Sequence, residues 1–225
     1  MIPLRDDNPI RCTPFVTYAL IGLCVIVFLW EMLLPAEAAE HVIYALGFVP
    51  AVLFGKAELG APIVPSGATL LTAMFLHGGW LHLAGNMLYL WIFGDNIEDR
   101  MGHGRFVVFY VVCGLVAALA QALPDTSSTV PMIGASGAIS GVLGAYLVLY
   151  PRANVLVALP ILIIFYTFRV PAFIVLGLWF LGQLASSVAS DAGAGVAFRA
   201  HVGGFLAGVL LFRFFLLERR SRVLR

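Results

Sequence analysis

Long apolar runs alternate with short polar stretches along nearly the whole chain. A helix needs about 20 mostly apolar residues to cross a bilayer, and the runs predict spans at about 14–34, 70–93, 106–123, 134–150, 170–188 and 200–217. The fourth run is short, because Pro151 stops it 16 residues after Ala135. A short helix among longer ones has a recessed end, which lipid tolerates only where protein or water surrounds it. Glu31–Thr69 is a long connection that mixes Glu31, Glu37, Glu40, Lys56 and Glu58 with apolar patches such as Ile43–Phe54. A loop of that length is expected to be functional or partly embedded. Gly94–Gly102 reads as a tight polar turn, and Ala189–Gly195 as a small-residue loop. Val155–Phe168 is apolar but has only 14 residues, with Pro160 in its middle, so it reads as an interfacial or re-entrant piece. The expected fold is all-α: one polytopic membrane domain over 1–225, a six-helix bundle with a long, partly embedded first outer loop.

Composition agrees with a membrane chain. Of the 225 residues, 61% are hydrophobic and 11% charged, against about 45–50% and about 25% for a soluble domain. There is no basic run interleaved with aromatics, so nucleic-acid binding is set aside. Cys12, Cys24 and Cys113 have no CxxC spacing and predict neither a disulfide framework nor a metal site. The first apolar run lacks a small-residue cleavage site after it, so it reads as a span and not as a signal peptide. Six spans place both termini on one side. With that side cytoplasmic, Arg5, Arg11, Arg100, Arg105, Arg152, Arg169, Arg213, Arg219, Arg220, Arg222 and Arg225 lie inside, and only Lys56 and Arg199 lie outside. That is a strong positive-inside bias. A seventh span over 155–168 would throw the Arg-rich tail outside. A compact chain with a short N-terminal segment and no transit peptide leads to the expectation of a bacterial plasma membrane.

The second, fourth and sixth spans then descend from the outer face, and polar residues occur early in each: His77, His82 and Asn86, then Ser136, then His201. Ionisable residues inside spans are costly and mark function. A serine hydroxyl is a weak nucleophile until a base takes its proton, and neutral imidazole is the usual base near pH 7. Gly137 with Gly141, and Gly204 with Gly208, are spaced as GxxxG and would let the fourth and sixth helices approach closely. No carboxylate falls in either span, so a Ser136–His201 dyad is expected, not a triad. His82 and Asn86, at i and i+4, share a helix face; with the Ser136 backbone N–H they could donate to a developing oxyanion. His77 points elsewhere and reads as a structural hydrogen bonder that orders the first loop. The blander alternatives are small residues for close packing, and His and Asn as interhelical glue. The nucleophile elbow of α/β-hydrolases is excluded, since it needs glycine where Ala138 stands and a strand–turn–helix setting.

These residues resemble the rhomboid family of intramembrane serine proteases. The resemblance is carried by Gly134-Ala135-Ser136-Gly137, by His201 with Gly204 and Gly208, by the block from His77 to Asn86, and by Gly94, Glu98 and Gly102 as GxxxExxxG. It implies a six-helix core whose site opens to water on the outer side. Ser136 would be nucleophile and His201 base, His82 and Asn86 would assist the oxyanion, and no metal or organic cofactor would be needed. Substrates would be single-span membrane proteins that pass the fifth helix, with Trp179 and Phe180, to reach the site from the bilayer. Two departures stand out. Many members carry Trp-Arg where this chain has Ala68 and Thr69, and some carry Tyr where it has Ser140. With Ser140, the imidazole would be positioned by packing or by a hydrogen bond. The rivals are a catalytically inactive family member that binds transmembrane segments, a transporter, and a membrane acyltransferase. The presence of both Ser136 and His201 counts against the inactive member, and the lack of paired half-helices and internal repeats counts against the transporter. An acyltransferase would use the same dyad, and cleaved protein fragments in place of modified lipid would separate it.

Overall fold

The computed structural model describes residues 1–59, 63–161, 164–189 and 197–217. Part of the Ala189–Gly195 loop and the tail with Arg219, Arg220, Arg222 and Arg225 lie outside the described residues.

Among the described residues, six helices have fourteen residues or more: α1 (Phe15–Met32), α5 (Trp80–Met101), α6 (His103–Ala122), α7 (Ser136–Leu149), α8 (Ala172–Ala189) and α9 (Phe198–Leu211). Between α1 and α5 lie α2 (Ala36–Leu46), α3 (Pro50–Leu53) and α4 (Thr69–Thr72). By length and apolarity α1, α6 and α8 can each cross a membrane. At ~1.5 Å per residue, the 14 residues of α7 cover less than the ~30 Å hydrocarbon core.

The all-α expectation is corrected by a three-stranded antiparallel sheet of order β1-β2-β3: Ile2–Asp6, Asn154–Ile161 and Ile164–Pro171. The run read as a re-entrant piece is therefore a hairpin, with Asn154 opposite Pro171 and Ile161 opposite Ile164. Its valines, isoleucines and aromatics favour pleated backbone, and β2 turns Val155 and Val157 fully into the core. The other edge of β2 is covered by the chain's first strand, with Ile2 opposite Ala158 and Asp6 opposite Val155. The register slips between Pro3 and Arg5, where proline has no N–H for the ladder.

Two helix limits also differ from the sequence reading. The run over 70–93 is split: α4 and a 3-10 turn at Ala73–Phe75 end at extended Leu76, and α5 starts only after Gly78-Gly79. The polar stretch read as a turn is helical to Met101, and the chain reverses at Gly102, whose φ of +74° suits glycine. Two of the acids of that stretch, Glu98 and Asp99, need no turn because they have partners elsewhere. Glu98, fully buried, accepts the backbone N–H groups of Val16 (2.9 Å) and Thr17 (2.7 Å) and the Thr17 hydroxyl (2.7 Å). Asp99 accepts the N–H groups of Arg11 (3.0 Å) and Cys12 (2.9 Å). One turn of α5 thus caps the start of α1, which has no capping side chain of its own.

The core gathers around α7, whose residues from Ala138 to Tyr146 are all buried. The Tyr146 hydroxyl donates to Asp6 and accepts from Asn8 Nδ2 (2.7 Å), which ties this end of α7 to the segment after β1. The other end of α7 carries Ser136.

Candidate active site

Ser136 is the first residue of α7, where backbone N–H groups have no partner within the helix. The chain reaches it through Met132, which pairs with Phe48 in both directions (3.0 and 2.8 Å), and through Gly134, whose N–H donates to Ala73 (2.8 Å). Gly134 has φ +117°, and a Cβ there would stand 2.6 Å from His82 Nε2. This position needs glycine for both its conformation and its neighbour.

The approach of α9 to α7 is made by glycines, with a division of labour that spacing does not show. A Cβ on Gly204 would collide with the Gly137 carbonyl oxygen, and one on Gly208 with that of Gly141. The α7 glycines themselves face α6: a Cβ on Gly137 would lie 2.7 Å from that of Ala117, and one on Gly141 would collide with Cys113. Gly144 extends the seam, against the Phe205 carbonyl. Gly204 and Gly208 of α9 thus admit α7, as does Gly144 from the α7 side, while Gly137 and Gly141 of α7 admit α6.

This packing brings the Ser136 hydroxyl to 2.7 Å from His201 Nε2. The imidazole's other nitrogen, Nδ1, lies 2.6 Å from Gln183 Oε1 on α8. Trp179, one turn earlier on α8, sets its ring 6.0 Å from the imidazole at 36°, and Phe198 meets it edge-on at 6.4 Å. Sequence reasoning missed Gln183. The available signal was a lone amide in an otherwise apolar helix, four residues after Trp179. Ser140 does not reach the imidazole; its hydroxyl donates to the Ser136 carbonyl (2.6 Å).

His82 and Asn86 share a face of α5 and line the same cavity of about 770 Å³ as Ser136, His201, Trp179 and Gln183. The Gly78 N–H donates to His82 Nδ1 over 3.4 Å, which leaves the proton of a neutral ring on Nε2, on the Gly134 side. Asn86 Nδ2 is a buried donor without a protein partner among the described residues. An unpaired buried amide donor is costly, and an acceptor that enters the cavity could satisfy it. His77 precedes α5 and is nearly fully buried behind His82, with ring centroids 5.2 Å apart. Its Nδ1 donates to the Phe75 carbonyl (3.2 Å), and its backbone N–H points to the Glu31 carboxylate at the end of α1 (3.4 Å).

A nucleophile, a base and side-chain donors around one cavity can carry out acyl transfer. The Rhomboid domain family model matches residues 66–218, which include all of these groups. Rhomboid protein 1, mitochondrial, of Saccharomyces cerevisiae is 31% identical over 203 residues, 86% of this chain and 51% of that protein. RHOMBOID-like protein 5 of Arabidopsis thaliana is 34% identical over 150 residues, 63% of this chain and 42% of the relative. Rhomboid protease GluP of Bacillus subtilis is 34% identical over 134 residues, 60% of this chain and 24% of the relative. The chain thus spans about half or less of the length of these curated relatives. With the match over most of its length, and with its long apolar helices, the chain belongs to the rhomboid family of integral membrane proteins.

Proposed function

We propose that this protein is an intramembrane serine endopeptidase that cleaves single-span membrane proteins with a Ser136–His201 dyad. The observation that carries the reading is the 2.7 Å hydrogen bond between the Ser136 hydroxyl and His201 Nε2 at the wall of a large cavity. In the proposed reaction His201 Nε2 takes the Ser136 proton as the oxygen attacks a peptide carbonyl exposed where a substrate helix unwinds. The carbonyl oxygen becomes negative and is met by Asn86 Nδ2, His82 Nε2 and the Ser136 backbone N–H. The imidazolium returns its proton to the leaving amine. Water from the cavity then hydrolyses the acyl-enzyme by the same path in reverse. His77 supports His82 from behind.

The orientation we propose puts both termini in the cytoplasm and opens the cavity outward. It rests on Arg5, Arg152 and Arg169 at the sheet end of the bundle and on Lys56 and Arg199 at the cavity end. The host membrane we propose is a bacterial plasma membrane; one of the relatives comes from a bacterium, Bacillus subtilis. The decisive experiment is cleavage of a single-span substrate in liposomes by wild type, Ser136→Ala and His201→Ala, with fluorophosphonate labelling in parallel. Loss of cleavage in both variants, with label on Ser136 in the wild type, is expected. Cleavage retained by either pure variant removes the assignment.

A further inference from the structure

His201 has hydrogen-bond partners at both nitrogens, Ser136 Oγ at Nε2 and Gln183 Oε1 at Nδ1. A neutral imidazole carries one proton, and its position decides whether the ring can act as a base toward serine. The Gln183 oxygen can only accept, so it holds that proton on Nδ1 and leaves the Nε2 lone pair facing the serine hydroxyl. If the ring carried its proton on Nε2, it could not take the one from Ser136. We infer that Gln183 is a positioning residue for the base, which fixes the tautomer and rotation of His201 by accepting its Nδ1–H. This rests on the serine–histidine reading and adds a third member to it, one that is neutral.

The surroundings support the assignment. Among the described residues, the titratable groups that share the cavity with the imidazole are His82 and Tyr89 from α5, Asp125 from the loop after α6, and Arg199 from α9. From α7 and α8 the cavity receives no ionisable side chain, and from α6 it receives the amide of Gln121. Among the described residues Gln183 is the one hydrogen-bond partner of Nδ1. A carboxylate there would attract the imidazolium and raise the base's pKa; an amide orients the ring without doing so. Trp179, on the same face of α8, packs beside the ring, so α8 supplies both the hydrogen bond and a wall.

The test is a steady-state comparison of wild type, Gln183→Met, Gln183→Glu and Ser136→Ala in liposomes, with thermal unfolding of each. Methionine keeps the volume and removes the acceptor. It is expected to lower kcat about 10–100-fold with KM within about twofold, at an unchanged unfolding temperature. Glutamate keeps an acceptor and adds charge. It is expected to retain activity while the acid limb of the kcat profile moves up by about one pH unit. A glutamine that merely joins α8 to α9 would change the unfolding temperature and leave the acid limb in place. Full kcat in Gln183→Met, or an unmoved acid limb in Gln183→Glu, overturns the inference. Should the methionine variant fail to fold, the tautomer is read from 15N shifts of His201 in wild-type protein, assigned against His201→Gln. A proton on Nδ1 supports the inference, and one on Nε2 overturns it. If Ser136→Ala still cleaves, the serine–histidine reading itself fails. If it is inactive while both Gln183 variants behave as wild type, only the role of Gln183 falls.

Discussion

Gly208 on α9 lies directly against the carbonyl oxygen of Gly141 on α7, with no room for a Cβ between them. That contact, repeated one turn earlier by Gly204 on Gly137, sets the distance between the helices that carry His201 and Ser136. Gly208→Ala must push backbone from backbone, since no flexible side chain is there to yield. We expect a loss of about 1–3 kcal/mol in stability and a fall in cleavage larger than unfolding alone explains. Gly182→Ala on α8, where a Cβ would meet nothing within 4 Å, is the control and should leave stability unchanged or raised. Thermal unfolding in detergent and cleavage in liposomes measure both. Equal behaviour of the two variants would show that the seam is not tight.

Asn86 offers a buried amide nitrogen that has no hydrogen-bond partner among the described residues. Asn86→Asp is nearly isosteric and replaces the donor with an acceptor. If the amide meets the oxyanion, Asn86→Asp and Asn86→Ala should each lower kcat by about 10²–10³. Stability should hold or rise in the alanine variant, since an unsatisfied buried group is removed. A variant that loses affinity for substrate at unchanged kcat would assign Asn86 to binding instead.

Glu98 is the cap of a helix about 80 residues earlier in the chain. Glu98→Ala leaves the Val16 and Thr17 N–H groups and the Thr17 hydroxyl without their acceptor, at a cost on the order of 3 kcal/mol. Thr17→Val removes only the hydroxyl bond and should cost about 1 kcal/mol. The order of these two in thermal unfolding is the measurement. A Glu98→Ala variant as stable as wild type would show that α1 finds another cap.

Cys12 precedes α1, and its thiol is held up at about 11 by burial and then by the hydrogen bond and charge of Asp99. The thiolate is the reactive form, so alkylation should be slow at pH 8 and accelerate as pH rises towards 11. Asp99→Asn removes the charge and should bring the acceleration to lower pH. The raised value also carries a sign for stability. The stabilisation linked to Cys12 is complete below the thiol's unfolded pKa and is lost as pH rises through about 11. Iodoacetamide rates over pH 7–11 test this, and identical profiles for wild type and Asp99→Asn would contradict it.

The features legible in the sequence were those with a local signal. Apolar length marked the helices, and polar residues in apolar runs marked His82, Asn86, Ser136 and His201. What escaped depended on partners far away in the chain. The acids at Glu98 and Asp99 read as a turn because nothing nearby shows that backbone N–H groups before α1 and in its first turn satisfy them. The hairpin read as a re-entrant piece because a short apolar run has no decisive period, and its pairing with Ile2–Asp6 spans some 150 residues. Gln183 escaped because a single amide on a helix says nothing about what it faces. GxxxG spacing identified the close seam but not that the two pairs of glycines serve different neighbours.

The sheet also bears on the order in which the molecule is made. Ile2–Asp6 leave the ribosome before the helices described above, yet their partner, Asn154–Ile161, follows α7. The first strand therefore cannot pair with β2 until α1, α5, α6 and α7 have been synthesised. Its zipping onto β2 is a late event of biogenesis, one that a nascent chain halted before residue 154 cannot reach.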